Sequence, residues 1–155
     1  SQSLIKTGNW LGPLLVAAAN AGIKKLLIFG YHGKLVKLAG GIFHTHHHLA
    51  DGRLETLTAL AVSEELPLEM IRCIPESTSI ETALKNLGTI DPMLTERLWC
   101  RLAETVESRS KAYLARYVSS SMEIGAALFD RQRQLRWAGS LGSQQLDSLG
   151  INLQI

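Results

Sequence analysis

The chain has 155 residues, 46% apolar and 19% charged, with 16 Lys+Arg against 14 Asp+Glu. That length suits one domain able to bury about two-thirds of its unfolded surface, and the apolar fraction excludes disorder and collagen-like structure. The near-even charge gives no compositional drive toward nucleic acid or an acidic membrane, and two cysteines, Cys73 and Cys100, exclude a disulfide scaffold and fit a reducing cytosol. No apolar run approaches the ~20 residues of a membrane span, and no basic-then-apolar leader opens the sequence. The expectation is a soluble, cytoplasmic, single α/β domain over residues 1–155.

Trp10 to Ala21 predicts a helix, with Trp10, Leu11, Leu14, Leu15, Ala18 and Ala19 at helical spacing and Gly22 as the stop. Leu26–Phe29, a short apolar run ended by Gly30, predicts a strand buried on both faces. Lys34–Ala39 predicts a short helix, Asp51–Leu66 a longer one, and Pro67–Ile74 a helical turn. Thr78 and Glu81 have capping-box spacing for a helix ending near Gly88, and Asp91-Pro92 opens the longest helix, to about Tyr117. Its apolar stripe is Leu94, Leu98, Leu102 and Val106, and Glu107 with Lys111 has the spacing of a surface ion pair. Ile124–Phe129 and Leu135–Trp137, joined by the polar turn Asp130–Arg133, predict a hairpin. The tail with Gly139, Gly142 and Gly150 carries no pattern. The fold class is a layered α/β domain with a small, mostly parallel sheet flanked by helices and a C-terminal hairpin.

Chemistry concentrates between Gly30 and Glu55. The stretch begins at the carboxyl end of a strand, where open α/β sheets bind ligands. Gly30 and Gly33 allow a ligand close to the main chain, and Lys34 follows at a helix start that favours anions. The spacing matches neither a Walker loop nor the dinucleotide fingerprint. Lys37 has the position of a solvated helix face. His44, His46 and His48 alternate, so an extended segment would put three imidazoles on one face; with no cysteine nearby and Asp51 the one close carboxylate, opportunistic chelation is the plainer reading. Asp51, Arg53 and Glu55 suit capping and local pairing at a helix start. Cys73, Cys100, Trp10, Trp99 and Trp137 read as packing or interface residues, and Arg131, Arg133 and Arg136 as a solvated basic turn.

The run from Gly30 to Glu55 resembles the signature of the cobalt-precorrin-5B (C1)-methyltransferase family, the CbiD type of the anaerobic cobalamin pathway. Gly30, Gly33 to Ala39, Gly41, Thr45, His46, Ala50, Asp51, Arg53 and Glu55 fall in register with its Gly-His-x-Gly-Lys-Leu-Val-Lys-Leu-Ala-x-Gly, Asn-Thr-His and Ala-Asp-x-Arg-x-Glu segments. Gly8-Asn9-Trp10-Leu11-Gly12 is similar to a family segment ahead of them. The chain departs at Tyr31, where the family has its histidine and His32 comes one later, at His44 in place of Asn, and at His47, often Ser. The family's amino-terminal domain, with its Gly-Tyr-Thr-Thr-Gly-type motif, is absent from this sequence.

The resemblance implies the C-terminal half of a two-domain enzyme. Its methyl donor is S-adenosylmethionine and its acceptor a cobalt-containing tetrapyrrole, cobalt-precorrin-5B, with cobalt present only as part of the substrate. Carried over residue by residue, it makes Gly30, His32, Gly33 and Lys34 the donor-binding group and Lys37, Thr45, Arg53 and Glu55 the substrate-binding group. His46 and Asp51 become the candidates for orientation or proton handling, with no resident metal. The implied partner is the missing N-terminal domain; an inter-domain face left exposed without it would favour self-association into a homo-oligomer, and composition gives no reason to expect nucleic acid or membrane. Two other readings accompany it: a non-catalytic corrinoid- or partner-binding domain, and a histidine-cluster metal-binding protein.

Overall fold

A computed structural model describes residues 3–46 and 48–153. Its helices and strands run, in chain order, α1 (Leu11–Asn20), β1 (Lys25–Tyr31), α2 (His32–Ala39), α3 (Arg53–Ser63), α4 (Leu68–Cys73), α5 (Ile80–Ile90), α6 (Pro92–Ala115), β2 (Glu123–Phe129), β3 (Leu135–Ala138) and α7 (Ser140–Ser148). β1 and β2 pair in parallel from Lys25↔Glu123 to Tyr31↔Phe129, and β3 returns antiparallel beside β2. The sheet order is β1-β2-β3, mostly parallel by length of ladder. A parallel pair needs a long crossover, and here α2 to α6 supply it.

This order corrects one expectation. β1 is an edge strand, and Phe29 on it is 53% exposed. The covered strand is β2, buried from residue 124 to 128, including Ile124, Ala126, Ala127 and Leu128. Periodicity cannot separate an edge strand from a central one, because both read as short apolar runs.

Helix starts follow local chemistry closely. Asp91 Oδ1 accepts from Leu94 N at 3.0 Å with Pro92 at the first helical position. The cap of α5 is Ser79, one residue later than the Thr78 spacing implied, with its hydroxyl accepting from Thr82 N at 3.1 Å. α5 also continues through Gly88 to Ile90. The stripe of α6 is confirmed: Leu98, Leu102 and Val106 are buried and Leu94 packs at its margin. Trp99 and Trp137 are fully buried, whereas Trp10 is 66% exposed. Cys73 is half-buried and packs against the core, as expected, whereas Cys100 is exposed.

The largest correction concerns Glu107. It does not pair with Lys111 at the surface; it is 7% exposed and accepts three backbone hydrogen bonds. Ala126 N donates to Oε1 at 3.0 Å, Gly142 N to Oε1 at 2.7 Å and Leu141 N to Oε2 at 3.3 Å. β3 gives out at Ala138, and the carboxylate takes over as ladder acceptor for β2. It also caps α7, whose own N-cap residue, Gly139, has no side chain to do so. A Cβ on Gly139 would strike the Glu107 carboxylate, and one on Gly142 would strike the Ala126 carbonyl. The unpatterned tail is thus a helix whose cap comes from thirty-odd residues away.

Glu107→Ala is expected to lower unfolding free energy by about 3 kcal/mol or more, since it strands several buried N–H groups. Lys111→Ala should change it by less than about 0.5 kcal/mol. Urea midpoints of the two variants check this; equal effects would restore the surface-pair reading.

Candidate functional site

Because β1 and β2 are parallel, both deliver their carboxyl ends to one edge, with Tyr31 opposite Phe129. The chain leaves β1 directly into α2, and leaves β2 into the Asp130 turn. The N-terminus of α5, Ser79–Glu81, completes the surround together with Arg53. The result is an open groove of about 420 Å³ lined by Tyr31, Gly33, Arg53, Ser79, Ile80, Glu81, Phe129, Asp130, Arg131 and Arg133. Its size falls within the usual range for small-molecule clefts, and it lies where α/β sheets bind ligands.

Glu81 is the acidic centre of this groove. Tyr31 Oη donates to its Oε2 at 3.2 Å, and His32 Nε2 lies 3.1 Å from the same oxygen. His32 is fully buried, its ring edge-on to Trp99 and Trp137 at 5.9 and 5.6 Å. Burial pushes the imidazole below its ordinary pKa, and Glu81 and Asp130 oppose this only in part. A neutral ring facing a carboxylate donates through Nε2–H, which leaves Nδ1 as a buried atom with no partner among the described residues. Burial and Glu81 also hold the Tyr31 phenol above its usual pKa, with Arg131 and Arg53 pulling the other way. The phenol therefore stays a donor.

The basic rim is built by two devices. Asp51 grips Arg53 with both carboxylate oxygens, at 2.6 and 3.1 Å. The guanidinium beside it holds the Asp51 carboxyl below the usual range. In the hairpin turn, Asp130 Oδ1 accepts from Gln134 N at 2.9 Å, and Arg133 occupies the left-handed region at φ 62°. That position in a three-residue hairpin loop normally takes Gly.

The other flagged residues form a second cluster. Thr45 N donates to Asn9 O at 3.3 Å and Thr45 Oγ1 to Asn9 Oδ1 at 3.1 Å, while Trp10 bridges to His44. Lys34 Nζ reaches Gly8 O at 3.3 Å. Lys37 is 3% exposed, not on a solvated face; its ammonium donates to Thr45 O at 3.1 Å and Ala50 O at 2.8 Å. It anchors the histidine-bearing segment to α2. Leu49 N donates back to His46 O at 3.0 Å, so the alternation of His44, His46 and His48 does not extend along one face. His46 and His48 rings lie 5.0 Å apart. His47 lies outside the described residues. Among the described residues, no group of three or more His, Cys, Asp and Glu is arranged to hold a metal ion.

A family profile described as CbiD, C-terminal domain, matches residues 44–140. The chain belongs to the CbiD C-terminal domain family. It is 68% identical over 151 residues to the cobalt-precorrin-5B C(1)-methyltransferase of Prochlorococcus marinus strain MIT 9313, covering 97% of this chain and 39% of that protein. The correspondingly named proteins of P. marinus strain NATL1A and Synechococcus sp. strain CC9902 are 58% and 56% identical over 154 and 146 residues. These cover 99% and 94% of this chain, and 40% of each relative. The chain therefore spans about two-fifths of the length of these curated relatives. No solved structure matches it.

Set against this CbiD domain, the expected site residues divide. Gly33 and Arg53 line the groove, His32 sits beneath it, and Asp51 acts on it through Arg53. Lys34, Lys37 and Thr45 belong to the second cluster; His46 and Glu55 are exposed outside the groove lining. The glycines of the turn are accounted for by packing: a Cβ on Gly30 would press on the Leu35 side chain at 3.1 Å, and one on Gly33 on the Tyr31 ring. Sequence reasoning missed Tyr31, Glu81 and Asp130 and took Arg131 and Arg133 for a solvated loop. Their common signal is position, each lying at a strand's carboxyl end or a helix's first turn. A wider depression of about 560 Å³ between the end of α3 and α6 is lined by Arg97 and Arg101, but both are paired with Glu64. Burial pushes both thiols above their ordinary pKa, which favours the protonated form, and neither lines the groove.

Lys37→Met is expected to speed amide exchange at Thr45–His46 and His48–Ala50 while leaving β2 protected, as read by hydrogen exchange. His32 makes stability pH-dependent with a fixed sign. The unfolded imidazole titrates near 6.5 and the folded one lower, so stability is complete above 6.5 and falls as the unfolded chain takes up a proton the folded one refuses. Urea unfolding at about pH 7.5 and about pH 5.5 should show that loss, and His32→Gln should shrink it.

Proposed function

We propose that this chain is the carboxy-terminal portion of a cytoplasmic S-adenosylmethionine-dependent methyltransferase acting at C1 of cobalt-precorrin-5B, in anaerobic cobalamin biosynthesis. The groove at the shared carboxyl edge of β1 and β2 is its donor-side pocket. The observation carrying this is the placement of the Gly30–Lys34 turn: it leads from β1 into a groove that combines the guanidinium groups of Arg53, Arg131 and Arg133 with a carboxylate held by Tyr31 and His32. Family membership supplies the reaction, since relatives at up to 68% identity over nearly the whole chain carry that name.

The residues present suit the donor's chemistry. Glu81 offers a carboxylate to a cationic or hydroxyl-bearing group, and Arg53, Arg131 and Arg133 offer guanidinium groups to a carboxylate. When bound, S-adenosylmethionine supplies an electrophilic sulfonium methyl. The chain's own task is to position and to exclude water, which needs no covalent intermediate. Asp51 orients Arg53, and Tyr31 and His32 orient Glu81. Thr45, His46 and Glu55 remain on the acceptor side, where the tetrapyrrole's carboxylates approach. The remaining three-fifths of the longer protein closes the open side of the groove.

In the full-length protein, Arg53→Ala should weaken binding of S-adenosylhomocysteine by about tenfold, the cost of one charged hydrogen-bonding partner. Calorimetric titration reads it; unchanged affinity would remove the groove from the donor site. Arg133→Gly should weaken binding too, yet raise stability by about 0.5–1 kcal/mol, because glycine accepts the left-handed conformation freely.

A further inference from the structure

Two donors, Tyr31 Oη and His32 Nε2–H, converge on a single oxygen of Glu81, Oε2. This arrangement fixes the carboxylate in one orientation and leaves Oε1 to a ligand. The side chain is 30% exposed, at the wall of the groove. The holding group is itself packed in the core: His32 is fully buried, with its ring edge-on to Trp99 and Trp137. Fixing a carboxylate this firmly costs a buried imidazole with an unpartnered Nδ1, an expense that packing alone does not require. The neighbouring acid, Asp130, is occupied; its Oδ1 accepts from Gln134 N, and Arg136 Nη1 lies 3.7 Å from its Oδ2. The groove therefore presents one available carboxylate in the same lining as Arg53, Arg131 and Arg133.

A fixed anion sharing one groove with guanidinium groups is complementary to a small zwitterion carrying an ammonium and a carboxylate on neighbouring atoms. We infer that this groove is a subsite for an α-amino-acid head group, with Glu81 receiving the ammonium, the arginine rim receiving the carboxylate, and Tyr31 and His32 acting as positioning residues for Glu81. The inference rests on the donor-pocket reading and specifies which end of the donor enters: the methionine end, with the nucleoside directed out toward the remainder of the protein. Glu81 lay outside the sequence-based donor group, and its role here is ligand contact.

The test compares two nucleosides that differ in the head group alone. S-adenosylhomocysteine carries the amino acid; 5′-methylthioadenosine keeps the ribose and base and lacks it. Calorimetric titration of the full-length protein should give tighter binding of S-adenosylhomocysteine by about tenfold or more. Glu81→Gln should erase most of that preference while leaving 5′-methylthioadenosine affinity unchanged. His32→Gln should reduce the preference partway, an effect a purely structural histidine would not confine to one ligand. If Glu81→Gln folds poorly, the N-acetylated derivative of S-adenosylhomocysteine, which lacks the ammonium charge, makes the same comparison in the wild-type protein and should lose the preference. Equal weakening of both nucleosides, or full retention of the preference in Glu81→Gln, overturns the head-group assignment alone. Failure of wild-type protein to bind either nucleoside overturns the donor-pocket reading and this assignment together.

Discussion

The Glu107 carboxylate holds together the part of the molecule on which everything else is built. One buried side chain from α6 completes the ladder of β2 where β3 stops, and caps α7 at Leu141 and Gly142. Those contacts join α6, the sheet and the C-terminal helix at one point, with glycines at 139 and 142 because nothing larger fits there. With β2 anchored, its parallel pairing with β1 brings Tyr31 and Phe129 side by side. The groove forms where the two strands end together, in the register that the Glu107 contacts to β2 and α7 help to fix. A carboxylate accepting several backbone N–H groups is stabilising in this setting because each donor would otherwise be buried without a partner.

Much of the fold was legible from local chemistry. The Asp91-Pro92 start, the α6 stripe and the hairpin all follow from rules that act over one or two turns, and the structure bears them out. What failed did so for a shared reason: it depended on partners far away in sequence. Glu107 and Lys111 have ideal pairing spacing, yet Glu107 is claimed by backbone amides from residues 126, 141 and 142. α7 lacks a capping side chain of its own and so left no start signal. β1 reads as a buried strand because nothing in its composition records that only one neighbour arrives.

The site divides in the same way. Chemistry concentrates in the Gly30–Glu55 stretch, and three of its residues line the groove: Gly33 and Arg53, which are among the candidate residues, and Tyr31, which is not. Lys37 looked like a surface lysine because helical position says nothing about the loop that folds over it; its ammonium is used on Thr45 and Ala50 carbonyls. Glu81 was read as half of a capping box, and it is in fact the carboxylate that Tyr31 and His32 hold from fifty and forty-nine residues away. The arginines of the hairpin turn were indistinguishable from a solvated loop until the strand pairing placed that turn beside β1. In each case the residue type was visible and the juxtaposition was not.

In the proposed function, the groove at the joint carboxyl edge of β1 and β2 receives the methyl donor. Differential hydrogen exchange of the full-length protein, with and without saturating S-adenosylhomocysteine, tests this most directly. A donor seated in the groove should protect three segments separated in sequence at once, residues 31–34, 79–82 and 129–134. Protection confined to the part of the protein outside this chain, or to His44–His46 with those three segments unchanged, would contradict it.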